Sequence, residues 1–306
     1  MLKLGIMGLS EGNGHPYSWS AIINGDYNEK AMVDCGFLVI PAYLAANRDT
    51  LGIDQARVVC VWTQQRKLSE QVATAALIEN VVDNKEEMIG QVDAVLLARD
   101  DPENHAAMAQ PFLDANVPVF IDKPLAITRD DLEYFSEQQA KGKFLMSCSS
   151  MRYSAGCQSV RGELDRLGEI ELAVVVGKKD WTKYGIHYLE GLFSLLNDPK
   201  ASAVKHISKT GRDIVYVEFE NGILATIHVF QDIAPGGEFN LYGRKGNLQV
   251  NHGGAYTAFR NTLVEVIRSF EQGKPRLDFA ITKNVITALI AGQESLEQNG
   301  KIIELK

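Results

Sequence analysis

Over the first 125 residues, apolar and β-branched positions fall into short unbroken runs: Leu2–Met7, Arg57–Trp62 (RVVCVW), Asp93–Ala98 (DAVLLA) and Val117–Ile121 (VPVFI). Such runs, without polar alternation, predict strands covered on both faces. Helical spacing occupies the intervals, notably Lys67–Glu79 and Glu103–Ala115. Strands alternating with helices predict an α/β fold with a doubly wound parallel sheet. The stretch from Asn24 to Gln55 is longer than an ordinary connection and contains a short predicted helix near PAYLAANRD.

The pattern changes after Pro124. Helices are predicted at Arg129–Ala140 and Ala155–Arg166, a strand at Ile170–Val176 and a helix at Tyr184–Leu196. Strand-like runs follow at Val204–Ser208, Ile214–Glu220, Ile223–Phe230, Glu238–Tyr242 and Asn247–Val250. Turns such as FENGIL and YGRKGNL between them carry the glycine and asparagine of hairpins, so the pairing is expected to be antiparallel. Two closing helices, Thr257–Gln272 and Phe279–Gln298, precede a last strand in KIIEL. The expectation is two domains: residues 1–125, built on the parallel sheet, and 126–306, an α/β domain with an open, mainly antiparallel sheet.

Composition is that of an ordinary globular chain, 45% hydrophobic and 23% charged. The net charge of −8, with no basic block, argues against nucleic acid or an anionic membrane surface as partner. Cys35, Cys60, Cys148 and Cys157 make no C-x-x-C pair and no H-E-x-x-H occurs, so no metal is expected. Unpaired thiols, a strand starting almost at Met1 and the lack of a membrane-length apolar run lead to the expectation of a cytoplasmic protein.

The first strand runs into the loop G-L-S-E-G-N-G-H. Strand, glycine-rich turn and helix at this place suggest a dinucleotide site. The spacing G-x-G-x-x-G nevertheless fails in every frame; counted from Gly8, its later glycine positions hold Ser10 and Asn13. Two readings stay open: an altered cofactor loop of Gly8, Ser10, Gly12, Asn13, Gly14 and His15, or a turn only.

The stretch DAVLLARDDPENHAAMAQPFLDANVPVFIDKPLA (Asp93–Ala126) resembles the glucose–fructose oxidoreductase / inositol dehydrogenase / MocA (Gfo/Idh/MocA) family of NAD(P)-dependent oxidoreductases. There the strand ends in Glu-Lys-Pro, here in Asp122-Lys123-Pro124. SSMRYSAG, YGIHYLEGLF and ALIAGQESLEQNGKIIEL extend the resemblance along nearly the whole chain in consistent order. It implies a Rossmann domain, a second domain whose sheet supports homodimers or homotetramers, and hydride transfer at a carbinol or carbonyl carbon. The substrates it implies are sugars, cyclitols and nucleotide sugars. The family also has regulatory members, so a non-catalytic nucleotide-binding sensor is the alternative.

The resemblance also implies site residues. Lys123 would touch the nicotinamide ribose and the substrate hydroxyl, with Asp122 orienting it. Arg99, Asp100, Asn104 and His105 match a loop near the cofactor, although His105 serves equally well as a helix-start residue. His187, beside a core stripe of Ile186, Leu189, Phe193 and Leu196, would trade a proton with substrate, since its ordinary pKa lies near operating pH. Arg152 would bind substrate. Many relatives carry Asp four residues before this histidine, where this chain has Lys183. Lys183 is read either as a cleft amine assisting proton transfer or binding an anionic substrate group, or as a solvated helix-start lysine. No acid closes the second strand in VWTQQR; Thr63 and Arg66 there suggest NADP(H), unless Thr63 and Gln64 only contact the ribose and neither NADP nor NAD is preferred.

Overall fold

The computed structural model describes residues 1–234 and 237–305, apart from the side chain of Arg161. From the N-terminus the chain runs through β1 (Leu2–Met7), α1 (His15–Asn24), α2 (Glu29–Val33), α3 (Val39–Ala46), β2 (Ala56–Trp62) and α4 (Arg66–Ala76). There follow β3 (Asn80–Val81), β4 (Ala94–Leu97), α5 (His105–Asp114), β5 (Val119–Ile121), α6 (Arg129–Ala140) and β6 (Leu145–Ser147). The second part holds α7 (Ala155–Ser159), β7 (Ile170–Lys178), α8 (Trp181–Leu195), β8 (Ala201–Lys209), β9 (Arg212–Phe219) and β10 (Leu224–Phe230). It closes with β11 (Glu238–Gly243), β12 (Gly246–Asn251), α9 (Ala255–Glu271), α10 (Phe279–Glu297) and β13 (Ile303–Glu304).

The chain folds as two compact units, residues 1–126, 130–148 and 259–279 in one, and residues 127–129, 149–258 and 280 onward in the other. In the first unit, six strands form a wholly parallel sheet in the order β3-β2-β1-β4-β5-β6. The order reverses between β1 and β4, and sheets of this kind bind ligands beyond the carboxyl ends at that point. Strands β1, β4 and β5 are almost wholly buried, as their unbroken apolar runs require. Strand β3 has two residues, too few to show a period in sequence.

The long stretch after α1 covers that helix. Residues Pro16 to Ile23 of α1 are all buried, so this part of the helix has no exposed face. Ile40 of α3 and Phe37 before it lie so close to Gly14 that a Cβ there would come within 2.5 and 2.9 Å of their side chains. At its far end the cover is tied down by Gly52 N and Ile53 N, which donate to the carbonyls of Ile22 and Ile23 at 2.9 and 3.0 Å.

In the second unit, seven strands form a sheet in the order β12-β11-β7-β10-β9-β8-β13, parallel only between β7 and β10. Gly222 sits at φ 88° in the β9–β10 turn, and β11 meets β12 at the Gly243–Gly246 pair, as the hairpin residues led one to expect. One face, with Ala173, Val175, Val215, Val217, Ala225, Ile227, Phe239 and Leu241, is buried. Helix α8 lies on it: Gly177 and Gly191 leave room for the rings of Tyr188 and Phe239.

The predicted helix 155–166 differs. It divides into the short α7 and a 3₁₀ segment, Arg161–Leu167. Gly162 and Val160 are weak helix formers, and buried Leu164 and Leu167 stand three apart, the spacing that a 3₁₀ turn brings to one side. Helix α8 starts three residues earlier than expected because Asp180 Oδ1 accepts from Lys183 N at 2.9 Å, a side-chain N-cap. Among the described residues no helix is long and apolar enough to cross a membrane.

Candidate active site

The β1–α1 loop is anchored to the ends of three neighbouring strands. Gly8 packs so closely on the helix start that a Cβ would lie 2.2 Å from Pro16 Cγ. Asn13 N donates to Ser10 O at 3.1 Å, closing a tight turn with Gly12 at φ 77°. Beyond β2, Gln64 clamps Leu9: its Oε1 accepts from Leu9 N at 3.0 Å and its Nε2 donates to Leu9 O at 2.5 Å. Beyond β4, Ser10 Oγ donates to Asp100 Oδ1 at 2.6 Å and accepts from Asp100 N at 3.1 Å. Beyond β5, Asp122 Oδ2 accepts from Asn13 Nδ2 at 2.9 Å and lies 2.5 Å from His15 Nδ1. Ser10 and Asn13 therefore replace glycines with side chains that each meet an acid, Asp100 and Asp122.

Lys123 joins these contacts. It is buried, its N donates to Asp122 Oδ1 at 2.8 Å, and its Nζ lies 3.3 Å from Asp100 Oδ2. Burial alone would raise the Asp100 pKa; the Lys123 ammonium and the Ser10 hydroxyl outweigh it and hold the carboxyl below its ordinary value. The His15 ring stacks on Trp19 at 4.6 Å between centroids and meets the edge of Phe259 at 5.0 Å.

Thr63 and Arg66 are otherwise engaged. Thr63 is buried, its Oγ1 donating to Gln65 O at 2.8 Å and lying 3.0 Å from Ser69 Oγ. Arg66 pairs with Glu70 at 3.0 Å and Asp83 at 2.6 Å, and these carboxylates raise its pKa. Arg99 binds Asp101 through two nitrogens and reaches Gln64 Oε1 at 3.1 Å, while Asn104 Nδ2 donates to Asp101 at 2.7 Å. Both ring nitrogens of buried His105 lie against backbone oxygens, of Leu125 at 3.1 Å and of Arg99 at 2.9 Å. His105 thus ties the loops after β4 and β5 together.

In the second unit, His187 stands on α8 with Nδ1 2.6 Å from Ser149 Oγ. Arg152 is 2% exposed rather than facing an open site. Its guanidinium is held by Glu190 at 2.6 Å and Asp198 at 2.9 Å. Burial pushes the Glu190 carboxyl up against the pull of Arg152. Lys183 is exposed in the first turn of α8.

Residues 32–147 match the sequence model of GFO_IDH_MocA, described as an oxidoreductase family with an NAD-binding Rossmann fold. Over these residues the chain is similar to the Gfo/Idh/MocA oxidoreductase family. No curated protein matches the chain by sequence. Among solved structures, a putative myo-inositol dehydrogenase from Sinorhizobium meliloti 1021 superposes with a TM-score of 0.77 at 15% identity, covering 100% of both chains. The myo-inositol dehydrogenase from Lactobacillus casei, solved with NAD(H) and myo-inositol, gives 0.77 at 13% identity over 100% of this chain and 97% of that one. A probable dehydrogenase from Thermotoga maritima gives 0.76 at 14%, covering 99% and 98%. At such identities these structures are alike in fold. The Gfo/Idh/MocA match begins after the glycine loop, which is where Ser10 and Asn13 depart from the usual spacing.

Sequence reasoning did not single out Asp101, Ser149 or Asp198, and took Gln64 only as a possible ribose contact. Gln64 stands where an acid is expected, and its lack of charge is the one signal visible beforehand. Ser149 and Asp198 are recognisable only once the fold brings them to His187 and Arg152.

Proposed function

We propose that the protein is an NAD(H)-dependent oxidoreductase acting on a carbinol or carbonyl carbon of a sugar-like substrate, a cyclitol in the first instance. The observation that carries this reading is the cluster at the carboxyl end of the parallel sheet, where Lys123, Asp100, Asp122 and the β1–α1 loop are joined. Helix α1 starts after Gly14; Asn13 Oδ1 accepts from His15 N at 2.8 Å and Pro16 has no N–H, so a diphosphate would draw on the positive end of the α1 dipole and not on those two positions. Gly12 has open space where a Cβ would stand, which lets the backbone approach a ligand. Asp100 is paired with the Lys123 ammonium and takes the Ser10 hydroxyl, and Asp122 is hydrogen-bonded by Asn13 and by the Lys123 backbone N–H.

NAD(H) is favoured over NADP(H). A 2′-phosphate needs a cation free to pair with it, and Arg66 is already neutralised by Glu70 and Asp83. Bound nicotinamide supplies the hydride acceptor or donor. In the first unit Lys123 is assigned to the substrate oxygen, with Asp122 and Asp100 holding it. The substrate class rests on the inositol dehydrogenases of like fold, which set the first compounds to try.

The test is nicotinamide absorbance on mixing the protein with NAD+ and a panel of cyclitols and aldoses. Turnover with a polyol, lost by at least about 100-fold in K123M, the scale of a proton-transfer group, is expected. Tight cofactor binding with no turnover on any polyol or ketone would instead mark a sensor.

A further inference from the structure

Ser149 is wholly buried, and its hydroxyl is shared between two neighbours. Oγ accepts from Met151 N at 3.1 Å and lies 2.6 Å from His187 Nδ1. A serine hydroxyl has one hydrogen to donate. Among the described residues the one acceptor it reaches is His187 Nδ1. Were Nδ1 to carry a proton, Oγ would receive two N–H groups and its own hydrogen would be buried without an acceptor, a costly arrangement.

Ser149 is itself held in place. Its backbone N–H is accepted by Glu190, three residues beyond His187 on the same helix. Glu190 is fixed by Arg152 at 2.6 Å, and Arg152 by Asp198 at 2.9 Å. The ring of Tyr184 lies 5.5 Å from that of His187, tilted by 46°. The buried charges thus set the position of Ser149, and Ser149 sets the imidazole.

We propose that Ser149 holds His187 in the tautomer protonated at Nε2, so that the neutral ring offers a substrate oxygen a hydrogen-bond donor and not a base. This rests on the oxidoreductase reading above. His187 would keep its Nε2–H and polarise the oxygen it meets by a hydrogen bond, without giving up the proton. Ser149 is a positioning residue, because it acts on the ring and not on the substrate.

The test is NMR of protein carrying ¹⁵N-labelled histidine, with H187N used to assign the resonances. The neutral His187 ring is expected to show a protonated Nε2 and an unprotonated Nδ1. In S149A this preference is lost and the two tautomers interchange; S149T, which keeps the hydroxyl, restores it. A proton on Nδ1 in the wild-type protein overturns the proposal, and that spectrum decides the matter even if S149A fails to fold. An unchanged tautomer in folded S149A overturns it equally. NADH binding by the wild-type protein, measured separately, tests the oxidoreductase reading. Its absence would remove the role given to His187 at a substrate and leave the hold of Ser149 on the ring intact.

Discussion

Asp100 receives a hydroxyl from Ser10 on one oxygen and an ammonium from Lys123 on the other, in partly buried surroundings. Its lowered pKa makes it a source of pH-dependent stability. Because the folded value lies below the unfolded one, about 3.9, the contribution is complete above that value and disappears as pH falls through the folded pKa. Urea unfolding of wild type and D100N should therefore differ by a constant amount above about pH 5, with the difference shrinking below about pH 4. A difference that stays flat through the acid range would contradict the Lys123–Asp100 pairing. Arg152 illustrates the other limit. R152M should cost about 3–5 kcal/mol by leaving Glu190 buried and unpaired, and R152M/E190L should recover much of that loss. Loss in R152M below about 1 kcal/mol would show the pair to be hydrated. Sequence identified arginine, threonine and histidine as types able to hold a ligand. It did not show that Arg152, Thr63 and His105 spend their polar atoms on Glu190, Ser69 and two backbone carbonyls. Such pairings join positions far apart in the chain, and no local pattern records them.

Periodicity located the long elements because each buries a face of its own: β1 matches its predicted span, and α6 matches at both ends. The 24–55 stretch was visible only as an excess of length. Its purpose follows from α1, whose residues Pro16–Ile23 are buried all round and need a cover on the side away from the sheet. Ile40, buried against Gly14, is the centre of that cover. I40A is expected to cost about 2–4 kcal/mol by urea denaturation, the range for deleting a buried branched side chain. A cost under about 1 kcal/mol would mean that α3 packs loosely on the helix. The failed helix at 155–166 shows the converse, since Leu164 and Leu167 favour a tighter turn that hydropathy alone does not distinguish.

At the scale of the molecule, a doubly wound parallel sheet was foreseeable from the alternation of strands and helices before Pro124 and a mainly antiparallel second sheet from the change of pattern after it, whereas the strand order and the short β3 and β6 were not. The outer face of that second sheet leaves Leu172, Ile207, Ile214, Leu224 and Tyr242 exposed, which is where self-association is expected. Light scattering should find a dimer or tetramer that L224K reduces to a smaller species; an oligomer untouched by L224K would place the contact elsewhere. The central claim concerns the first unit, and calorimetric titration with NADH and NADPH tests it most directly. NADH is expected to bind with a Kd of about 10 μM, near −7 kcal/mol, and NADPH at least about tenfold more weakly because Arg66 is already paired. Binding of neither below about 1 mM would reduce the Gly8–His15 loop to a turn, and tighter binding of NADPH would contradict the assignment of Arg66 to Glu70 and Asp83.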